Sequence, residues 1–201
     1  MIAVKTLPER ILEQSQQLPE GSVLSPKDFI HLGSRAAVDQ AFCRLTKAGK
    51  LMRVARGTYA APVTSRFGTR PPAPEKVVKA ITEQRGETLV QHGARAANAL
   101  GLTQQVPIKD AFLTAGRSRK MKLGKTEVLV QHAPRWMLAL GPSLAGEAVR
   151  ALAWLGQTHV NEAVGKLHST LPESEWHSLL ASRSILPTWM AQALGRESAH
   201  G

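Results

Sequence analysis

Apolar side chains in the first 65 residues fall into three short helical stripes and one alternating stretch. Ile11, Leu12 and Leu18 keep a roughly helical spacing behind Pro8, which predicts a helix over about 7–17. Leu18-Pro19-Glu20-Gly21-Ser22 has turn chemistry. Ser25 followed by Pro26 reads as a cap with proline at the first helical position, opening a short helix through Phe29, Ile30 and Leu32. Gly33 breaks it, and Ser34 caps a third helix with Ala37, Val38, Ala41, Phe42 and Leu45 on one face, ended by Gly49. Residues 50–60 alternate apolar and polar positions around Gly57, as a short hairpin does. Three short helices and a hairpin is the order of a winged helix-turn-helix.

Beyond residue 65 the pattern changes twice. Pro71, Pro72 and Pro74 cannot continue a helix or a central strand, so 67–74 is expected to be a Pro-rich linker. Residues 1–66 then form one domain and 75–201 a second. In the second, Val77, Val78 and Ile81 predict a helix stopped by Gly86, and 94–102 a helix rich in small residues. Residues 87–92, 111–115 and 126–132 are strand-like. This makes 75–135 an α/β region. From 136 to 201 the pattern is helical throughout, with starts near Pro142, His159, Pro172 and Pro187. All four Trp residues lie in that stretch, where core packing is the expected role and a partner surface the lesser one. The expected fold class is α+β.

Composition adds a partner class. The chain has 201 residues, 43% hydrophobic and 20% charged, which excludes wholesale disorder. The net charge is +11, and it is uneven: residues 1–70 carry +6, 71–135 carry +6 and 136–201 carry −1. A basic front and a neutral tail point to a polyanion met by the front. A single Cys43 excludes a disulfide framework or a Cys-rich zinc module, and it is expected to be a partly buried filler. Without a membrane span or signal sequence in its pattern, the chain is expected to be cytoplasmic.

The third helix offers the sharpest chemistry. Opposite its apolar stripe it presents Ser34, Arg35, Ala36, Asp39, Gln40, Arg44 and Lys47. Arg and Gln carry the forked donors that read guanine and adenine in a major groove, and small residues near the helix start admit the backbone. Lys50, Arg53 and Arg56 on the hairpin suit a flanking phosphate or the minor groove. Phe42 and Tyr59 are expected in the core, where the wing closes on the helices. Arg117, Arg119, Lys120, Lys122 and Lys125 form a second candidate basic surface, expected at the tip of a hairpin between two strands.

Leu89-Val90-Gln91-His92 recurs as Leu129-Val130-Gln131-His132. A paired-histidine metal or acid–base site would need a carboxylate or third ligand beside them, and none recurs. Two similar strands of one sheet explain the echo better. No metal or cofactor is expected.

The order of parts resembles the AbiEi-like antitoxins, the regulator half of type IV toxin–antitoxin and abortive-infection systems. The resemblance rests on the wing Val54-Ala55-Arg56-Gly57-Thr58-Tyr59-Ala60-Ala61-Pro62, on Pro74-Glu75-Lys76-Val77-Val78, on the run from Ala94 to Leu102, and on Leu186-Pro187-Thr188-Trp189-Met190. It implies an N-terminal domain that binds double-stranded DNA at inverted repeats in its own promoter. It also implies a C-terminal domain needed for antitoxicity, and a nucleotidyltransferase-like toxin as partner. The implied DNA contacts fall on Arg35, Gln40, Arg44, Arg53 and Arg56. Two other readings compete. One is a protein-interaction module whose C-terminal helices bind a partner. The other is a nucleic-acid-processing enzyme, disfavoured because the acids are scattered singly and no P-loop, nucleophile elbow or HExxH motif occurs.

Overall fold

The computed structural model describes residues 5–200 and divides them into two compact units. The first takes in the described residues up to Gly86 together with Lys120–Val128; the second takes in Glu87–Arg119 and the residues from Leu129 onward. The architecture is α+β: a winged helix-turn-helix, a mixed region, and C-terminal helices.

In the first unit, α1 (Leu7–Gln17) starts in a capping box, with Thr6 and Glu9 satisfying each other's backbone donors. β1 (Val23–Leu24) follows the turn at Gly21. The expected short second helix forms as a 3-10 helix, Pro26–Leu32. Its Ser25–Asp28 capping box and proline fix the start, and only Pro26 and Phe29 turn inward, one turn of that tighter coil apart. α2 (Arg35–Lys47) is the expected third helix. β2 (Met52–Ala55) and β3 (Thr58–Ala60) form the wing, and β1 completes an antiparallel sheet in the order β1-β3-β2. Ile11, Leu24, Phe29, Val38, Phe42, Leu45 and Leu51 pack as the core.

The stretch expected to be a linker is folded. β4 (Val63–Ser65) pairs with β5 (Gly68–Arg70) across a two-residue turn, Arg66-Phe67, and Pro72 is buried. Glu20 explains why. Its carboxylate accepts from Lys76 Nζ at 2.6 Å, Arg70 Nη1 at 3.0 Å and the Ala73 backbone N–H at 3.1 Å. That carboxylate ties the end of β5 to the start of α3 (Pro74–Glu83). Gly21, at φ +86°, lets α3 come close: a Cβ there would collide with Lys76 Cβ. The first compact unit therefore runs on past residue 66 to take in α3.

The mixed region contains β6 (Leu89–Gln91), α4 (Gly93–Ala99), β7 (Asp110–Thr114), β8 (Arg119–Leu123) and β9 (Thr126–His132), with strand order β6-β7-β9-β8. β8 corrects the expected basic hairpin tip: most of that stretch is itself a strand. Met121 and Leu123 are buried while Lys120 and Lys122 face out, the period of two that the charges had masked. The turn at Gly124 packs within the first unit, where a Cβ would meet Pro71 at 2.9 Å.

In the second unit, α5 (Arg135–Leu138) comes first, and α6 (Leu144–Leu155), α7 (Val160–Thr170), α8 (Glu173–Ala181) and α9 (Thr188–His200) follow, these four close to the predicted helix starts. Ala148, Val149, Leu152, Val164, Leu167, Leu179, Met190 and Leu194 form their core. Trp176 is buried and stacks on His168, Trp136 and Trp189 pack at the core's edge, and Trp154 is 37% exposed.

Candidate nucleic-acid interface

α2 owes its orientation to four side chains. Val38, Ala41, Phe42 and Leu45, at spacings of three, four and seven, are all buried. Ser34 begins the helix by accepting from the Ala37 N–H at 3.3 Å. A Schellman turn ends it: Lys50 N–H donates to Leu45 O at 2.9 Å and Gly49 N–H to Thr46 O at 3.1 Å, with Gly49 at φ +68°. With one stripe committed to the core, Arg35, Ala36, Asp39, Gln40, Arg44 and Lys47 all lie exposed, and so does Ser34. Cys43 shares that outer face and is exposed, so the expectation of a partly buried filler is corrected. The stripe leaves no room for it, because its neighbour Phe42 takes the inward position.

The wing is fixed to α2 by aromatic packing. Tyr59 lies 4.8 Å from Phe42 between ring centroids, and Phe42 meets Phe29 edge-on at 5.4 Å. Val54 is buried beneath, which turns Arg53 outward on the alternating strand. Arg56 and Gly57 form the turn between β2 and β3, with Gly57 at φ +69° and Arg56 exposed. Lys50 is exposed at the far end, where α2 passes into β2.

The structure brings Ser34, Arg35, Ala36, Asp39, Gln40, Arg44 and Lys47 onto one helical face and sets Lys50, Arg53 and Arg56 on the adjoining segments. In the free chain Arg35 Nε reaches Asp39 Oδ2 at 2.8 Å, an exposed pair one helical turn apart. Such a pair is worth only about 0.3–0.5 kcal/mol, so a stronger anion can displace it.

Arg35 and Arg56 also line a groove of about 290 Å³ in the first unit. Two further cations line it, Lys27 from the start of the 3-10 helix and Arg85 from just beyond α3. Neither stands out in the sequence as a site residue, because only the fold carries the end of α3 to β1. Gln84 Nε2 makes that connection by donating to Val23 O at 3.5 Å.

The second candidate basic surface is reduced. Arg119 pairs with Glu87 at 2.8 Å with 16% of its side chain exposed, and Glu87 also accepts from Thr114 Oγ1. Lys120 stands 3.5 Å from Glu127. Arg117, Lys122 and Lys125 are exposed.

Of the two histidines of the repeated motif, His92 follows the end of β6 and His132 is the last residue of β9, the strands on either side of β7. His92 caps α4 by accepting from the Ala94 N–H at 3.3 Å, and burial lowers its pKa. His132 Nδ1 lies 3.0 Å from Gly116 O and 3.2 Å from Ala115 O, which places the proton on Nδ1. Among the described residues no group of three or more His, Cys, Asp or Glu is placed to hold a metal ion. No helix among them is long and apolar enough to cross a membrane.

Residues 10–177 match the family of unknown function DUF6088. The chain belongs to that family. The DUF6088 chain is similar in structure to the RV2827C protein from Mycobacterium tuberculosis, with a TM-score of 0.47 and 18% identity over 96% of this chain and 82% of that one. No protein of curated function matches the DUF6088 chain.

Proposed function

We propose that this DUF6088 chain is a DNA-binding transcriptional autorepressor and the antitoxin of a type IV toxin–antitoxin system, acting by binding and without catalysis. One observation carries the DNA half: the whole polar face of α2, with Arg35, Gln40, Arg44 and Lys47, is solvent-facing beside a wing that presents Arg53 and Arg56. A helix ~10–12 Å across fits a B-DNA major groove ~12 Å wide, and α2 runs ~20 Å along it at 1.5 Å per residue. Arg35, Gln40 and Arg44 take the base edges, and Lys47, Lys50, Arg53 and Arg56 the backbone. The antitoxin half is supported by the resemblance to the AbiEi-like family in the wing and in the segments around Ala94–Leu102 and Leu186–Met190. On that reading the partners are operator repeats and a nucleotidyltransferase-like toxin.

A gel-shift titration with the DNA upstream of the chain's own gene tests the first half. Tighter binding there than to random duplex is expected, with log K falling steeply in log salt at about −0.9 per neutralised phosphate. Equal affinity for both duplexes defeats the regulator reading. Co-expression with the adjacent gene product tests the second half, with rescue of growth as the expected result and unrelieved toxicity as its refutation.

A further inference from the structure

We propose that the groove lined by Lys27, Arg35, Arg56 and Arg85 is a clamp for one sugar–phosphate strand of the duplex that α2 enters. The clamp rests on the DNA-binding reading above and assigns it two residues from outside the helix and wing.

The groove's lining is one-signed. Its four charged side chains are all cations, no Asp or Glu lines it, and Ser25, Thr58 and Gln84 add polar groups. Of the four, Arg35 has the exposed Asp39 pair; Lys27, Arg56 and Arg85 have no ion-pair partner among the described residues. A concave site lined by one sign of charge focuses its field and gathers counter-charge.

The position of the groove selects the anion. Arg35 is the first residue of α2, the end of a recognition helix that reaches base edges, and Arg56 is the wing turn. A duplex held by both must run the strand bounding its major groove between them, which is where the groove lies. Lys27 and Arg85, which line the same groove, then close on that strand.

Arg85 is held there by folded structure. Val77, Val78 and Ile81 bury one face of α3, Gln84 ties its end to β1, and Arg85 N–H donates to Thr82 O at 3.0 Å. The cation is therefore presented before DNA arrives, which lowers the ordering cost of binding.

The test compares the salt dependence of binding to the upstream duplex and to random duplex for the full chain and for Lys27→Ala, Arg85→Ala and the double variant. Each single change is expected to flatten the log K versus log salt slope by about 0.9, so the affinity lost over a fourfold rise in salt shrinks about 3.5-fold per contact. Both duplexes weaken alike and the preference between them is unchanged, because phosphate contacts carry no sequence information. Arg85→Lys should keep the wild-type slope and Arg85→Gln lose it, which separates charge from any folding defect. Wild-type slopes in both Lys27→Ala and Arg85→Ala, with Arg35→Ala still impaired, overturn the clamp and leave the regulator reading standing. Absence of DNA binding by the unaltered chain overturns both. A thermal shift by inorganic phosphate or AMP that Arg85→Ala abolishes, with the DNA slope unmoved, assigns the groove to a small ligand and also overturns the clamp.

Discussion

α2 and α6 are almost the same length, thirteen and twelve residues, and both begin at a serine cap. They treat arginine in opposite ways. α2 buries four residues on one stripe and leaves Arg35 and Arg44 in water. α6 buries seven, and one of them is Arg150, only 1% exposed. Its Nη1 donates to Gly141 O at 2.8 Å and Met137 O at 3.4 Å, holding the turn that follows α5. Burial lowers its pKa to about 10, so it remains charged at neutral pH. A guanidinium inside a helical core does structural work on carbonyls; a row of them outside a single apolar stripe remains free for a ligand. The comparison locates the candidate function on α2 and removes α6 from it.

The largest effect that could break this contrast is on stability. Arg150→Ala is expected to cost about 3–5 kcal/mol, since it leaves buried carbonyls without a donor and opens a cavity. Arg150→Met restores volume without donors and should recover only part of the loss. Urea melts of the three proteins read this directly, and a wild-type midpoint for Arg150→Ala removes the structural role. Next comes Gly93→Ala. A Cβ at Gly93 would collide with Arg150 O and meet Trp154 Cβ at 2.8 Å, because α4 lies against α6 there. Overpacking of this kind costs about 1–3 kcal/mol, again measured by urea melting.

On α2 the same measurements should separate. Arg35→Ala loses only an exposed pair with Asp39, so stability is expected to stay within about 0.5 kcal/mol of wild type. Its discrimination between the upstream and random duplexes should fall by about 1–3 kcal/mol. If Arg35→Ala unfolds the chain but spares DNA preference, the roles assigned to α2 and α6 are reversed.

How much of this could be read from the chain depends on how local the signal was. α1 and α2 matched their predicted bounds because caps, proline and the Gly49 terminator act within a few residues. The outward face of α2 was equally legible, since an apolar stripe at three-and-four spacing dictates which side remains. β8 was missed although Arg119-Lys120-Met121-Lys122-Leu123 alternates, because its three cations outweighed the period. The segment 67–74 was misjudged for a different reason. Pro71 and Pro72 do lie outside helix and strand, but the pairing of Ser65 with Gly68 and the capture of Arg70 by Glu20 depend on residues up to fifty positions apart. Lys27 and Arg85 had no local signal at all. A single basic residue after Pro26 and another before Gly86 become neighbours only when α3 docks on β1.

Glu20 sharpens the comparison from the side of smallest expected effect, because it is a surface charge that nevertheless organises structure. Hydrogen bonding from Lys76, then from the Ala73 N–H, with Arg70 adding to both, lowers its carboxyl from 4.5 to about 2. A carboxylate depressed in the folded state stabilises fully above its unfolded value and loses that contribution as pH falls toward the folded one. The contribution should therefore be complete above about pH 4.5 and vanish near pH 2. Glu20→Gln, which keeps an oxygen for Ala73 and removes the charge, is expected to flatten the melting temperature against pH in that window and to leave it parallel to wild type between pH 6 and 8. DNA affinity at neutral pH should not change, since Glu20 lies outside the α2 face and the groove. An unaltered acid limb in Glu20→Gln means that the tie between β5 and α3 does not depend on this charge, and exposure alone would then suffice to mark which charges on the first unit are free.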